Sequence, residues 1–110
     1  MTLFERIIAR QIPASIVYED EETLAFRDIH PQAPVHILVI PKRPIPQLSA
    51  AAPEDGALLG RLLQTVQLVA KQEGLVDYRV NINNGAGAGQ TVFHLHLHLL
   101  GGRPFSWPPG

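Results

Sequence analysis

Polar and apolar residues alternate most regularly near the C-terminal end of the chain. In "QTVFHLHLHLLGG", residues 90–102, Val92, His94, His96 and His98 alternate with Phe93, Leu95, Leu97 and Leu99. A strand's two-residue period puts the first set on one face and the second on the other, whereas a helix would scatter them in steps of roughly 200°. The β-branched and aromatic lead-in and the Gly101-Gly102 stop favour the strand. The pattern predicts a strand with an apolar back on a core and a row of imidazoles in front.

The remaining pattern predicts the other elements. Thr2 and Glu5 have capping-box spacing, and Leu3, Phe4, Ile7 and Ile8 recur at helical intervals before Pro13, which gives a short helix. "SIVYED" and "TLAFRDI" read as two strands joined by an acidic turn, and "PVHILVIPK", bounded by Pro34 and Pro41, reads as a central strand because nearly all of it is apolar. From Glu54 to Glu73, Leu58, Leu59, Leu62, Leu63, Val66, Val69 and Ala70 keep a 3.6-residue period, with acidic residues at the start and Gly74 after the end. "YRVNIN" is a fourth strand and "NGAGAG" a glycine-rich loop leading into the histidine strand. The expected fold is α+β, a mostly antiparallel five-stranded sheet with one long and one short helix, in a single domain over residues 1–110.

Composition narrows the function classes. A chain of 110 residues with 45% hydrophobic and 17% charged residues and a net charge of −1 is not steered toward nucleic acid or anionic membranes. The N-terminal "MTLFERIIAR" reaches Glu5 and Arg6 before any long apolar run, so neither a signal peptide nor a membrane span is expected, and a soluble, cytoplasmic protein is. With no cysteine, nucleophilic or metal chemistry falls to His, Asp and Glu.

Three imidazoles on one face waste pairing surface and repel when protonated, which argues against a merely solvated strand. They are also too extended to share one metal ion, since the first and third lie roughly 13 Å apart at about 3.3 Å per residue; two of them could. Nucleophilic catalysis at phosphorus suits the row better. A neutral central His96 attacks, and a flanking histidine binds the phosphoryl group or protonates the leaving group. The preceding loop offers backbone amides at Gly85, Gly87 and Gly89, with Asn83, Gln90 and Thr91 as polar side chains, to the same phosphate. Alone, that loop is equally a flexible connection. His36 and Asp28, each in isolation, read as a core histidine and a turn residue, and His30 as solvated.

"HLHLHLL" matches the His-φ-His-φ-His-φ-φ signature (φ apolar) of the histidine-triad superfamily. "LAFRDIHPQAPVHILVIPK", "VNINNGAGAGQTVFHLHLHLLGGR", "WPPG" and the N-terminal "FERIIARQIPA" resemble its Hint branch, the purine nucleoside phosphoramidases, over nearly the whole chain. The resemblance implies a homodimer with a joint ten-stranded sheet and hydrolysis of adenosine 5′-monophosphoramidates, and of acyl adenylates, to AMP with no required cofactor or metal. It implies His96 as nucleophile, His98 on the phosphate, and His36 and His94 orienting the nucleophile. Asp28 would hold the ribose, Asn83, Gly89 and Thr91 the phosphate, and Phe4, Ile7, Ile12, Phe26 and Ile29 the base. Trp107 would reach the partner subunit's site. His30 replaces a Ser, and Ser106 a His, common in relatives. A dinucleoside polyphosphate hydrolase of another branch and a non-catalytic nucleotide- or metal-binding adaptor are the rival readings.

Overall fold

The computed structural model describes residues 1–110. Thr2 caps the first helix, α1 (Leu3–Ile8): its hydroxyl accepts from the Glu5 amide at 3.2 Å, and the Glu5 carboxylate accepts from the Thr2 amide at 3.0 Å. The capping box read from the sequence is therefore formed. Strands β1 (Ile16–Glu19), β2 (Thr23–Arg27) and β3 (Val35–Pro41) follow, then helix α2 (Gly56–Gln72), β4 (Tyr78–Asn81) and β5 (Leu97–Gly101). Every pairing is antiparallel and the order is β1-β2-β3-β5-β4, so the apolar β3 is central as expected.

Strand parity divides the interior into two layers. Ala25, Ile37, Val39, Leu97 and Leu99 face α2, where they pack with Leu58, Leu62, Val66, Val69 and Ala70. The alternate residues Leu24, Phe26, Leu38 and Ile40 face the other way and pack with Phe4 and Ile7 of α1. Thr23, on the α2 side, has its hydroxyl 3.0 Å from that of Thr65, which in turn donates to the Arg61 carbonyl, so both buried hydroxyls are satisfied.

Two expectations need correction. The last strand is shorter than its sequence pattern: ladder pairing begins at Leu97, so His94 and His96 precede β5 and only His98 lies within it. Leu95, Leu97 and Leu99 still face α2 while Val92 joins the α1 side, but Phe93 leaves the apolar row and is 44% exposed. The imidazole row is covered by α1, in line with the argument against a merely solvated strand: His94 and His96 are buried and His98 is half-buried.

The helical period predicts Leu62 and Leu63 equally, yet Leu62 is 1% exposed and Leu63 is 53% exposed. Leu62→Ala should destabilise the fold by about 2–5 kcal/mol through lost burial and a residual cavity. Leu63→Ala should change it by less than about 1 kcal/mol. Urea midpoints of the two variants check this; equal losses would place the helix in another register.

Candidate active site

The β3–β5 register builds the site. Leu38 pairs with His98 and His36 with Leu100, so His36 and His98 are diagonal neighbours on the face covered by α1. Their rings meet with His36 Nε2 and His98 Nδ1 2.9 Å apart. Asp28, just beyond β2, places Oδ2 3.4 Å from the same His36 nitrogen. Its Oδ1 accepts from the His30 amide at 2.8 Å.

Hydrogen-bond partners fix the tautomer of each neutral ring, since a carbonyl can only accept and an amide N–H can only donate. His96 Nδ1 lies 2.7 Å from the His94 carbonyl and must carry the proton, which leaves the lone pair on Nε2. His94 donates from Nε2 to the Pro41 carbonyl at 2.7 Å. The Gln32 amide donates to His36 Nδ1 at 3.0 Å, so His36 holds its proton on Nε2 and donates it to His98 Nδ1. His98 consequently presents an N–H from Nε2, a buried atom with no partner in the chain. A nucleophilic lone pair and a hydrogen-bond donor thus sit on adjacent rings whose centroids are 4.9 Å apart.

Burial keeps the rings neutral. Desolvation lowers the pKa of His36, His94 and His96, against the opposing pull of Asp28 on His36, of the Pro41 carbonyl and Glu5 on His94, and of the His94 carbonyl and Asp28 on His96. His98 is lowered to about 4, by desolvation first and then by the neighbouring His96 and His36.

A cleft of about 440 Å³, within the range of small-molecule sites, opens over His96 and His98. Of the residues assigned to the base slot, Phe4, Ile7, Ile12, Phe26 and Ile29 all line it, together with Asp28 and Thr91. Phe4 and Phe26 form a buried floor, packed edge to face at 5.4 Å, and Phe4 also meets the His96 ring at 5.0 Å. Ile29 is 82% exposed at the rim, where it offers free apolar surface. His30, left without a role by the sequence, lines the cleft too. Its signal was its place two residues from Asp28.

Other assignments are redirected. His36 bonds to His98 and not to His96, and His94 holds His96 through its backbone carbonyl while its own ring is anchored on Pro41. Of the three glycine amides expected to face a phosphate, those of Gly85 and Gly89 are already engaged. The N–H groups of Gly85, Ala88, Gly89 and Gln90 are bonded within it, with Gly85 (φ 89°) and Gly89 (φ 94°) in the left-handed region that glycine tolerates. Gln90 is 3% exposed; its side chain accepts from Gly85 and donates to the Pro46 and Val92 carbonyls, so it braces the loop. Asn83 accepts from Asn81 and stands beside Gly89, and neither lines the cleft. Trp107, which the resemblance assigns to the partner subunit's site, is 82% exposed and no part of this chain's own cleft.

Asp28, His36 and His98 bring potential ligand atoms within 4.8 Å of one another, the one such cluster. The 2.9 Å contact between the two imidazoles is occupied by an N–H···N bond, which a cation would have to displace.

Comparison with known proteins agrees with this geometry. A family model described as HIT domain matches residues 9–105. The chain belongs to the histidine-triad family. It is 67% identical to an uncharacterized HIT-like protein of Synechocystis sp., over 99% of this chain and 96% of that one. It is 53% identical to adenylylsulfatase HINT1 of Arabidopsis thaliana, over 99% of this chain and 76% of the relative. The crystal structure of a HIT family hydrolase from Legionella pneumophila superposes with a TM-score of 0.97 at 47% identity, covering 100% of both chains. The family's Hint branch and the five-stranded fold are those expected from the sequence.

Depressed histidine pKa values make stability fall with acid. The unfolded chain binds protons near pH 6.5 that the folded protein refuses, so stability is complete above pH 6.5 and declines toward His98's value of about 4. Melting temperatures measured between pH 7.5 and 4 should fall, and His98→Asn should flatten that fall. An unchanged slope in the variant would mean that His98 is not the group resisting protonation.

Proposed function

We propose that this HIT family hydrolase is a purine nucleoside phosphoramidase acting through a covalent nucleotidyl-histidine. The observation that carries the reading is the His96 tautomer: Nδ1 is committed to the His94 carbonyl, and the Nε2 lone pair adjoins a cleft of nucleotide size. His96 Nε2 attacks the 5′-phosphorus of an adenosine 5′-monophosphoramidate protonated on its amide nitrogen; the P–N bond breaks and the neutral amine leaves with the proton it already carries. Water then attacks phosphorus, the P–N bond to His96 breaks, and AMP departs with the neutral ring restored.

His98 Nε2–H supports this route as a neutral donor to the phosphoryl oxygens, where negative charge grows in the transition state. Thr91 lines the same cleft. Asn83 and Gly89, which stand outside its lining, contact the phosphate only after the loop shifts toward bound substrate. Asp28 is placed to accept from ribose hydroxyls, while the apolar slot suits a purine without discriminating sharply between adenine and guanine. The protein acts as a cytoplasmic homodimer, the two sheets joining and Trp107 reaching the partner's leaving-group side. No metal is required, since a histidine supplies the nucleophile and a neighbouring N–H the electrophilic assistance.

The Arabidopsis relative's name, adenylylsulfatase, favours adenylyl sulfate as a second substrate of the same chemistry. A diadenosine polyphosphate is the discriminating alternative, as it must seat a second nucleotide outside the cleft.

AMP release from adenosine 5′-monophosphoramidate, with chelator present, should be readily measured for the native protein and fall by at least about a thousandfold in His96→Ala, with AMP still bound. Retained turnover in that variant would falsify the nucleophile assignment. Asp28→Asn should weaken AMP binding about tenfold, the loss expected for a hydrogen bond to a charged group. An unchanged dissociation constant would remove Asp28 from the ribose.

A further inference from the structure

The "GGR" tripeptide that starts at the last residue of β5 takes no part in the chemistry above, yet each of its residues has a spatial reason. A Cβ on Gly101 would lie 2.6 Å from Leu75 Cδ1. Gly102 has φ +88°, and a Cβ there would lie 2.9 Å from Pro34 Cβ. The chain therefore passes close over the β2–β3 loop, which brings Arg103 onto Gln32. Arg103 Nε and Nη2 both donate to the Gln32 carbonyl, at 3.2 and 3.1 Å, and Nη1 donates to the Pro104 carbonyl at 3.0 Å. The guanidinium also stands 4.2 Å over the Phe105 ring, a planar contact that Lys cannot reproduce.

Gln32 is the residue whose amide selects the His36 tautomer. Its side chain donates to the His30 carbonyl at 3.0 Å and its backbone N–H donates to His36 Nδ1 at 3.0 Å. Without that amide, His36 can carry its proton on Nδ1 and turn a lone pair toward His98. His98 must then protonate Nδ1 to keep the 2.9 Å bond, and its Nε2 changes from a donor into a lone pair. A lone pair there repels the phosphoryl oxygens that the N–H would bind.

We propose that Arg103 is a positioning residue for the His36–His98 pair, pinning Gln32 so that both rings keep the proton on Nε2. The proposal rests on the reading above only in assigning His98 Nε2–H to the phosphoryl group; the tautomer relay itself is independent of substrate. Arg103 lies outside the cleft and touches no reacting atom.

Ring ¹⁵N shifts from two-bond ¹H–¹⁵N spectra of the full chain test it, alongside turnover and AMP binding. In the native protein His36 and His98 should each give the Nε2–H pattern, and His96 the Nδ1–H pattern. Arg103→Ala should move His36 and His98 toward mixed tautomers and leave His96 in place. Turnover should fall about tenfold in kcat, part of the usual contribution of positioned proton donors, with KM within about twofold. Arg103→Lys, which keeps one donor, should recover part of both changes. Phe105→Ala keeps every Arg103 donor and removes the ring that lies under both Arg103 and Arg79; it should shift the same two rings less, and serves if Arg103→Ala fails to fold. Unchanged His36 and His98 shifts in whichever of these variants folds would overturn the proposal, whatever the activity. Absence of turnover in the native protein, with the rings responding as expected, would instead remove the phosphoramidase reading and retain the relay.

Discussion

The 2.7 Å hydrogen bond from His96 Nδ1 to the His94 carbonyl is the interaction on which the site depends. The late start of β5 at Leu97 leaves that carbonyl outside the sheet ladder. Neutrality is the second half of the constraint. Burial under α1 makes the imidazolium costly, so the ring holds a lone pair at ordinary pH without any base to remove a proton.

The two layers of the sheet divide their tasks. On the α2 side, Leu95, Leu97 and Leu99 pack into a continuous apolar core that carries no chemistry. On the α1 side, the alternate positions hold His94, His96 and His98 over a smaller apolar cluster containing Phe4 and Phe26. A one-residue slip in β5 would exchange these sets, burying imidazoles against α2 and sending leucines into the cleft. Stability and catalysis therefore enforce the same register, which β3 fixes by pairing Leu38 with His98.

In the proposed reaction, electrostatic assistance comes from oriented neutral dipoles rather than from formal charge. Proton positions run from the Gln32 amide through His36 to His98, and Asp28 sits beside the middle ring. A donor held in place before substrate arrives needs no reorganisation during reaction, which is where such groups gain their effect.

Much of this protein was legible in its sequence. The capping box at Thr2 and Glu5, the central apolar strand, the long helix and the alternation that segregates histidines from leucines are local, periodic signals, and local periodicity follows from backbone geometry. The identity of the cleft's apolar floor also followed, through Phe4, Ile7 and Phe26, once the family resemblance was seen. What only the tertiary structure decided were the contacts between distant residues. Leu62 and Leu63 share one helical pattern and are separated only by what packs against them. The joining of His36 to His98 across 62 positions, the inward turn of Gln90 and the seat of Arg103 on Gln32 carry no periodic signature. They arise from strand register and from the approach of loops in space, so a hydrogen bond between residues far apart in the chain is decided only when the sheet has formed.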